Sequence, residues 1–104
     1  MHLATYSDSD FFGGGERALA TLLAGLDPSI EVTVVGPHAE IVDHIASARA
    51  GASRLAIAPV RGRRDASGIA AQFRAIRDLR PDVLHSNGNA WSGQYVLIAA
   101  AMTR

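Results

Sequence analysis

Phe12-Gly13-Gly14-Gly15-Glu16-Arg17-Ala18 decides how this chain folds. A short apolar run, His2 to Tyr6, precedes it, and a helical pattern from about Glu16 to Leu26 follows it. Strand, glycine-rich turn and helix in that order make a small anion-binding device. The first backbone N–H groups of a helix have no intrahelical partner, and the helix dipole favours negative charge there. Glycine lets a ligand approach the backbone because no Cβ stands in the way. The same turn is equally readable as a loop that simply enters a helix.

Working outward, the strand-then-helix unit recurs. Leu19, Leu22, Leu23 and Leu26 fall on one face of the first helix, which Asp27-Pro28 ends. Ile30 to Val35 is a β-branched second strand, broken by Gly36-Pro37. A second helix runs from about Ala39 to Arg49 with Ile41, Ile45 and Ala48 inward, and Gly51 is its stop signal. Arg54 to Ala58 is a third strand, followed by the loop Pro59 to Arg64. Asp65 caps a third helix carrying Ile69, Phe73 and Ile76, which Arg80-Pro81 ends. Asp82 to His85 is a fourth strand, and Trp91 to Met102 reads as a fourth helix. Asp8 and Asp10 read as turn formers, and Glu16 as a carboxylate favoured by its helix terminus.

Four such units predict an α/β, Rossmann-like parallel sheet of about four strands, in the order 3-2-1-4 with helices on both faces. With no fifth strand, the doubly wound domain is incomplete and strand four is an open edge, through which self-association is expected.

Composition narrows the function. The chain has 104 residues, of which 48% are apolar, enough for a core. Zero formal charge gives no reason to invoke nucleic acid. All ten basic residues are Arg, a compositional bias rather than a functional one. Without cysteine there is no disulfide, thiolate metal site or cysteine nucleophile. No secretory leader is visible, and the longest apolar run, Val96 to Met102, is far short of the roughly 20 residues of a transmembrane segment. A cytoplasmic soluble protein is the expectation. No metal is expected, since His2, His38 and His44 have no ligand spacing.

Ligands of open α/β sheets sit beyond the carboxyl ends of the strands, where strand order reverses. Here the loops Ser7 to Gly15 and Ser86 to Trp91 meet there, with Arg61 to Arg64 on the same rim. Gly13 to Ala18 formally matches G-x-G-x-x-A, but six residues separate it from Tyr6, and Gly36-Pro37 stands where a dinucleotide fold wants an acid. A nicotinamide-dependent oxidoreductase is therefore disfavoured. The absence of Lys rules out a phosphate-binding P-loop. Arg61, Arg63 and Arg64 suit an anionic acceptor group, although a solvated loop explains them as well. Trp91 and Tyr95 suit a cleft wall or helix-four packing.

Three segments carry a resemblance: Phe12 to Arg17, Val32 to Pro37, and Leu79-Arg80-Pro81-Asp82-Val83-Leu84-His85-Ser86-Asn87. In order and spacing the chain resembles the N-terminal, acceptor-side half of retaining glycosyltransferases of the GT-B fold, group 1 or family 4 type. The resemblance implies sugar transfer from a nucleotide-sugar donor to an acceptor, with retention and without a cofactor or metal. It implies contact with substrate or donor phosphate at Gly13, Gly14 and Gly15, with Gly14 and Gly15 facing the cleft, and at His85 and Asn87. Asn87 stands where the family often has a second His, and His85 is also readable as a strand-end residue packed under a helix. The family holds its donor mainly through a C-terminal domain with paired glutamates, which is missing from these residues, so they are not expected to catalyse transfer alone. The alternative is a stand-alone, flavodoxin-like domain that dimerises and binds a small anion.

Overall fold

β-Branched and apolar residues at the expected places build a four-stranded parallel sheet. The computed structural model describes residues 1–57 and 64–86. The elements are β1 (His2–Tyr6), α1 (Gly14–Gly25), β2 (Glu31–Gly36), α2 (Ala39–Ala46), β3 (Ser53–Ala56), α3 (Ala66–Leu79) and β4 (Val83–Ser86). Their order is β3-β2-β1-β4. This is the expected Rossmann order and differs from the 2-1-3 start of a flavodoxin-like sheet. In register, His2 lies beside Glu31, Thr5 beside His85, and Tyr6 beside both Val35 and Ser86. The fourth helix, Trp91 and Tyr95 fall outside the described residues. Among the described residues, no helix is long and apolar enough to cross a membrane.

Side chains alternate across a strand, so neighbours in β2 serve opposite layers. Val32 and Val34 pack with Leu19 and Leu23 of α1 and with Val42, Ile45 and Ala46 of α2. Val35 packs with Tyr6 and with Ile76 of α3. Helices thus cover both faces, as the doubly wound reading requires. Truncating a fully buried residue such as Ile45 or Ile76 would cost about 2–5 kcal/mol.

Two helix faces differ from expectation. Leu22 is half exposed, and Ala48 is exposed rather than inward. The buried stripe of α1 is Glu16, Leu19 and Leu23, turned toward the side on which Glu16 binds its own loop. α2 ends at Ala46 and buries Val42, Ile45 and Ala46. Its early end frees Arg49 to turn back on α1. The two guanidinium Nη groups donate to the carbonyls of Leu23, Leu26, Asp27 and Ile30 at 2.7–3.1 Å. α1 has no basic residue in its own last turn, so Arg49 supplies the cation that its C-terminus favours.

The amino end of the sheet is closed by Asp82. Its carboxylate accepts from the His2 N–H at 2.7 Å, and its own N–H donates to the His2 carbonyl at 2.8 Å. Arg80 reaches this position by ending α3 in the left-handed region, with φ 49°. The Arg-Pro-Asp part of the fourth-strand motif is thus a structural hinge between α3 and β1.

Arg49→Ala is expected to lower stability by about 2–4 kcal/mol in urea unfolding, because several charge-assisted bonds are lost and carbonyls are stranded. Arg49→Lys should fail to restore it, since an ammonium lacks the planar fork. Ser29, through its N–H first and then its hydroxyl, holds the Asp27 carboxyl below its usual value of 3.8, and Arg49 adds to this. A depressed folded pKa contributes stability above the unfolded value and loses it as pH falls through the folded one. The stability gap between wild type and Asp27→Asn should therefore close as pH drops below about 3.8.

Candidate functional site

At the carboxyl rim, β1 keeps pairing for one residue past its end. Ser7 N–H donates to the Val35 carbonyl at 3.0 Å, after which the chain leaves the sheet. Gly36, the last residue of β2, lies against this exit. A Cβ there would collide with the Ser7 carbonyl oxygen and press on Val42 Cγ2. The glycine that reads as a strand breaker is therefore part of the strand, and its lack of a side chain permits the close approach of loop and sheet.

The loop then bends back on α1 through Glu16. Ser9 Oγ–H donates to Glu16 Oε2 at 2.9 Å, and Gly13 N–H donates to Glu16 Oε1 at 3.0 Å. Gly13 is the residue before the helix, and its carbonyl accepts the first helical bond from Arg17 N–H at 3.0 Å. Glu16 is the third helical residue, the position from which an acidic side chain can reach back to the N-cap. It is 5% exposed, so the carboxylate points into its own loop rather than into solvent. Sequence reading placed Glu16 at the helix terminus. The missed part was Ser9, for which the only signal was a hydroxyl in a loop that ends in such a glutamate.

Phe12 anchors the turn from the other side. Its ring stacks on His44 of α2 with centroids 3.7 Å apart, and Arg17 lies over it at 5.8 Å. It also packs against the α1–α2 core. With Gly13 committed to Glu16, the N–H groups of Gly14 and Gly15 belong to a first turn that has no intrahelical acceptors. Both residues are exposed, and a Cβ on Gly14 would meet nothing within 4 Å.

His85 lies on the same rim, next to β1. Its Nδ1 is 3.1 Å from Thr5 Oγ1, and the residue is exposed. The ring is held through a sheet neighbour, and the helix expected to follow His85 lies outside the described residues. Arg64 is exposed, just ahead of Asp65, whose carboxylate caps α3 by accepting from Gly68 N–H at 3.0 Å. Asn87, Arg61 and Arg63 fall outside the described residues, so Arg64 alone represents the Arg cluster here. Among the described residues, no group of three or more His, Asp or Glu side chains is placed to hold a metal.

Two buried polar side chains lack hydrogen-bond partners among the described residues. They are Ser7, through its hydroxyl at the exit of β1, and Gln72, through both amide atoms on the inward face of α3. Neither was singled out from sequence, because a Ser after a strand and a Gln in a helix are ordinary there.

Comparison with known proteins gives one match. A family model described as glycosyl transferase 4-like domain covers residues 13–104, which begins at the N-cap glycine of α1. No curated protein and no solved structure matches the chain.

Glu16→Gln is expected to lower stability by about 1–2 kcal/mol, since the amide can accept only one of the two bonds and presents a donor to the other. Hydrogen exchange at Gly13 should accelerate by at least tenfold in the same variant. Unchanged exchange at Gly13 would show that Glu16 does not hold the turn.

Proposed function

The chain belongs to the glycosyl transferase 4-like family, and from that premise we propose that it is the acceptor-side, N-terminal domain of a retaining GT-B glycosyltransferase. The parent enzyme takes a sugar from a nucleotide-sugar donor. The anomeric carbon–oxygen bond to the diphosphate breaks, and a bond to an acceptor oxygen forms on the same face of the sugar. The acceptor hydroxyl loses its proton, and a nucleoside diphosphate leaves. A second domain with the paired glutamates is needed to hold most of the donor.

One observation carries this reading beyond the family match: the exposed, pre-set turn at Gly14 and Gly15, held by Glu16 at the carboxyl rim. A backbone donor fixed before the ligand arrives needs no reorganisation when charge develops on an oxygen beside it. Gly14 and Gly15 are the contacts to donor phosphate, with Gly13 holding the turn in shape. His85 lines the same rim, its ring orientation set by Thr5. Arg64, with Arg61 and Arg63, serves an acidic acceptor group.

A dinucleotide-dependent reaction is disfavoured by the same geometry. The acidic residue such enzymes place at the end of β2 would need a side chain at Gly36, where the Ser7 carbonyl leaves no room.

Reading the source DNA past the codon for Arg104 is the first test. A frame that continues into a second domain with paired glutamates is expected, and a stop codon there would overturn the transferase reading. In the protein so encoded, Gly14→Val should lower kcat/KM for transfer at least tenfold. Its unfolding free energy should stay within about 0.5 kcal/mol of wild type, because the added side chain enters open space. Full activity in Gly14→Val would remove this turn from the site.

A further inference from the structure

Two histidines of the sheet are each paired with one buried threonine. Thr5 lies in register with Val34, on the face that α1 and α2 cover, and its Oγ1 is 3.1 Å from Nδ1 of His85 on β4. Thr33 lies between Val32 and Val34 and therefore faces the other layer, that of α3. Its Oγ1 is 2.8 Å from Nε2 of His2. Thr5 is fully buried and Thr33 is 4% exposed. Neither hydroxyl has another hydrogen-bond partner among the described residues, in contrast to Thr21, whose hydroxyl donates to the Arg17 carbonyl. A valine has the same branched shape, so packing alone does not call for a hydroxyl at either place.

A hydroxyl has one proton and two lone pairs, whereas a neutral imidazole has one N–H and one bare nitrogen. Were the ring nitrogen to donate, the threonine proton would be buried without an acceptor. That costs more than an unused lone pair. The threonine therefore donates, the nitrogen it meets is bare, and the ring proton sits on the other nitrogen. Thr5 meets Nδ1 and Thr33 meets Nε2, so one rule gives the two rings opposite tautomers.

We propose that Thr5 is a positioning residue that holds His85 as the neutral Nε2–H tautomer, while Thr33 holds His2 as the Nδ1–H tautomer. His85 is exposed, and its Nε2 has no partner among the described residues. The ring thus offers the carboxyl rim a hydrogen-bond donor and no base, because its one bare nitrogen is already occupied by Thr5. A fixed N–H steadies negative charge that grows on a neighbouring oxygen and takes no proton from a hydroxyl. That use in transfer rests on the glycosyltransferase reading; the tautomer does not.

The test is a long-range nitrogen–proton NMR correlation of the imidazole rings in the 104-residue chain at about pH 8, above the ordinary histidine value of about 6.5. His38 is exposed, has no ring hydrogen bond among the described residues, and supplies the baseline ratio of tautomers. His85 is expected to carry its proton on Nε2 and His2 on Nδ1, each at least about tenfold over the other form. Thr5→Val should return His85 to the His38 ratio and leave His2 unchanged. Thr33→Val should do the converse, and Thr5→Ser should restore His85. A proton on Nδ1 of His85, a wild-type ratio equal to that of His38, or no change in Thr5→Val would overturn the proposal. The wild-type spectrum decides this even where a variant fails to fold. In the full-length protein, Thr5→Val should lower kcat/KM for transfer about tenfold, with recovery in Thr5→Ser. Full activity in Thr5→Val would overturn the positioning role and leave the transferase reading standing. Opposite tautomers in a full-length protein that turns over no nucleotide sugar would support the hold of Thr5 on His85 and sink the transferase reading.

Discussion

The carboxylate of Glu16 sets the shape of this rim. It takes the Gly13 N–H and the Ser9 hydroxyl at once, and it is buried while doing so. Two consequences follow. The loop between β1 and α1 is closed into a fixed bend, with Gly14 and Gly15 exposed beside it. The N-terminus of α1 also already has an acidic side chain in its first turn, which satisfies part of its preference for negative charge. The turn therefore differs from the all-backbone phosphate cradle of a P-loop, because a carboxylate already occupies its helix terminus.

Most of the fold was legible because its signals are local. The β-branched run from Val32 to Val35 and the apolar run from Leu3 to Tyr6 are strands wherever the helices lie. Asp65 and Arg80-Pro81 bracket α3 by capping and by the proline constraint. The helix faces were less legible for a geometric reason. At about 100° per residue, Glu16 and Leu23 lie about 60° and 40° to one side of Leu19 and Leu22 about 60° to the other, so the burial of Glu16 turns Leu22 outward. Ala48 was misplaced because α2 stops at Ala46, and nothing local marks that stop. Its cause is distant in sequence: Arg49 leaves the helix pattern to bind carbonyls 19–26 residues away.

The site was half legible on the same logic. Glycines before a helix announce an open turn, and a Glu three residues after Gly13 announces the reach-back to it. Ser9 and the Thr5 contact of His85 depend on which loops the sheet order brings together, and no single segment encodes them. The fourth-strand motif shows how a family-like pattern divides. Asp82 works on the His2 backbone and Arg80 on the end of α3, so these two residues serve the fold. Only His85, further along the strand, reaches the carboxyl rim of the sheet.

Gly36 connects fold and chemistry most directly. The sheet needs β2 to run up to the point where Ser7 leaves β1, and the Val35 carbonyl is already taken by the Ser7 N–H. The next residue then lies against the Ser7 carbonyl and can carry no side chain. In a dinucleotide fold the chain leaves β1 straight into a tight glycine turn, which leaves room for an acid at the end of β2 to hold a ribose. Here six residues intervene before Gly13, the loop they form covers the end of β2, and the acid has no place. The long β1–α1 loop and the glycine at the end of β2 are thus two sides of one steric fact. That fact closes the ribose position at the end of β2, while Gly14 and His85 stay exposed on the same rim.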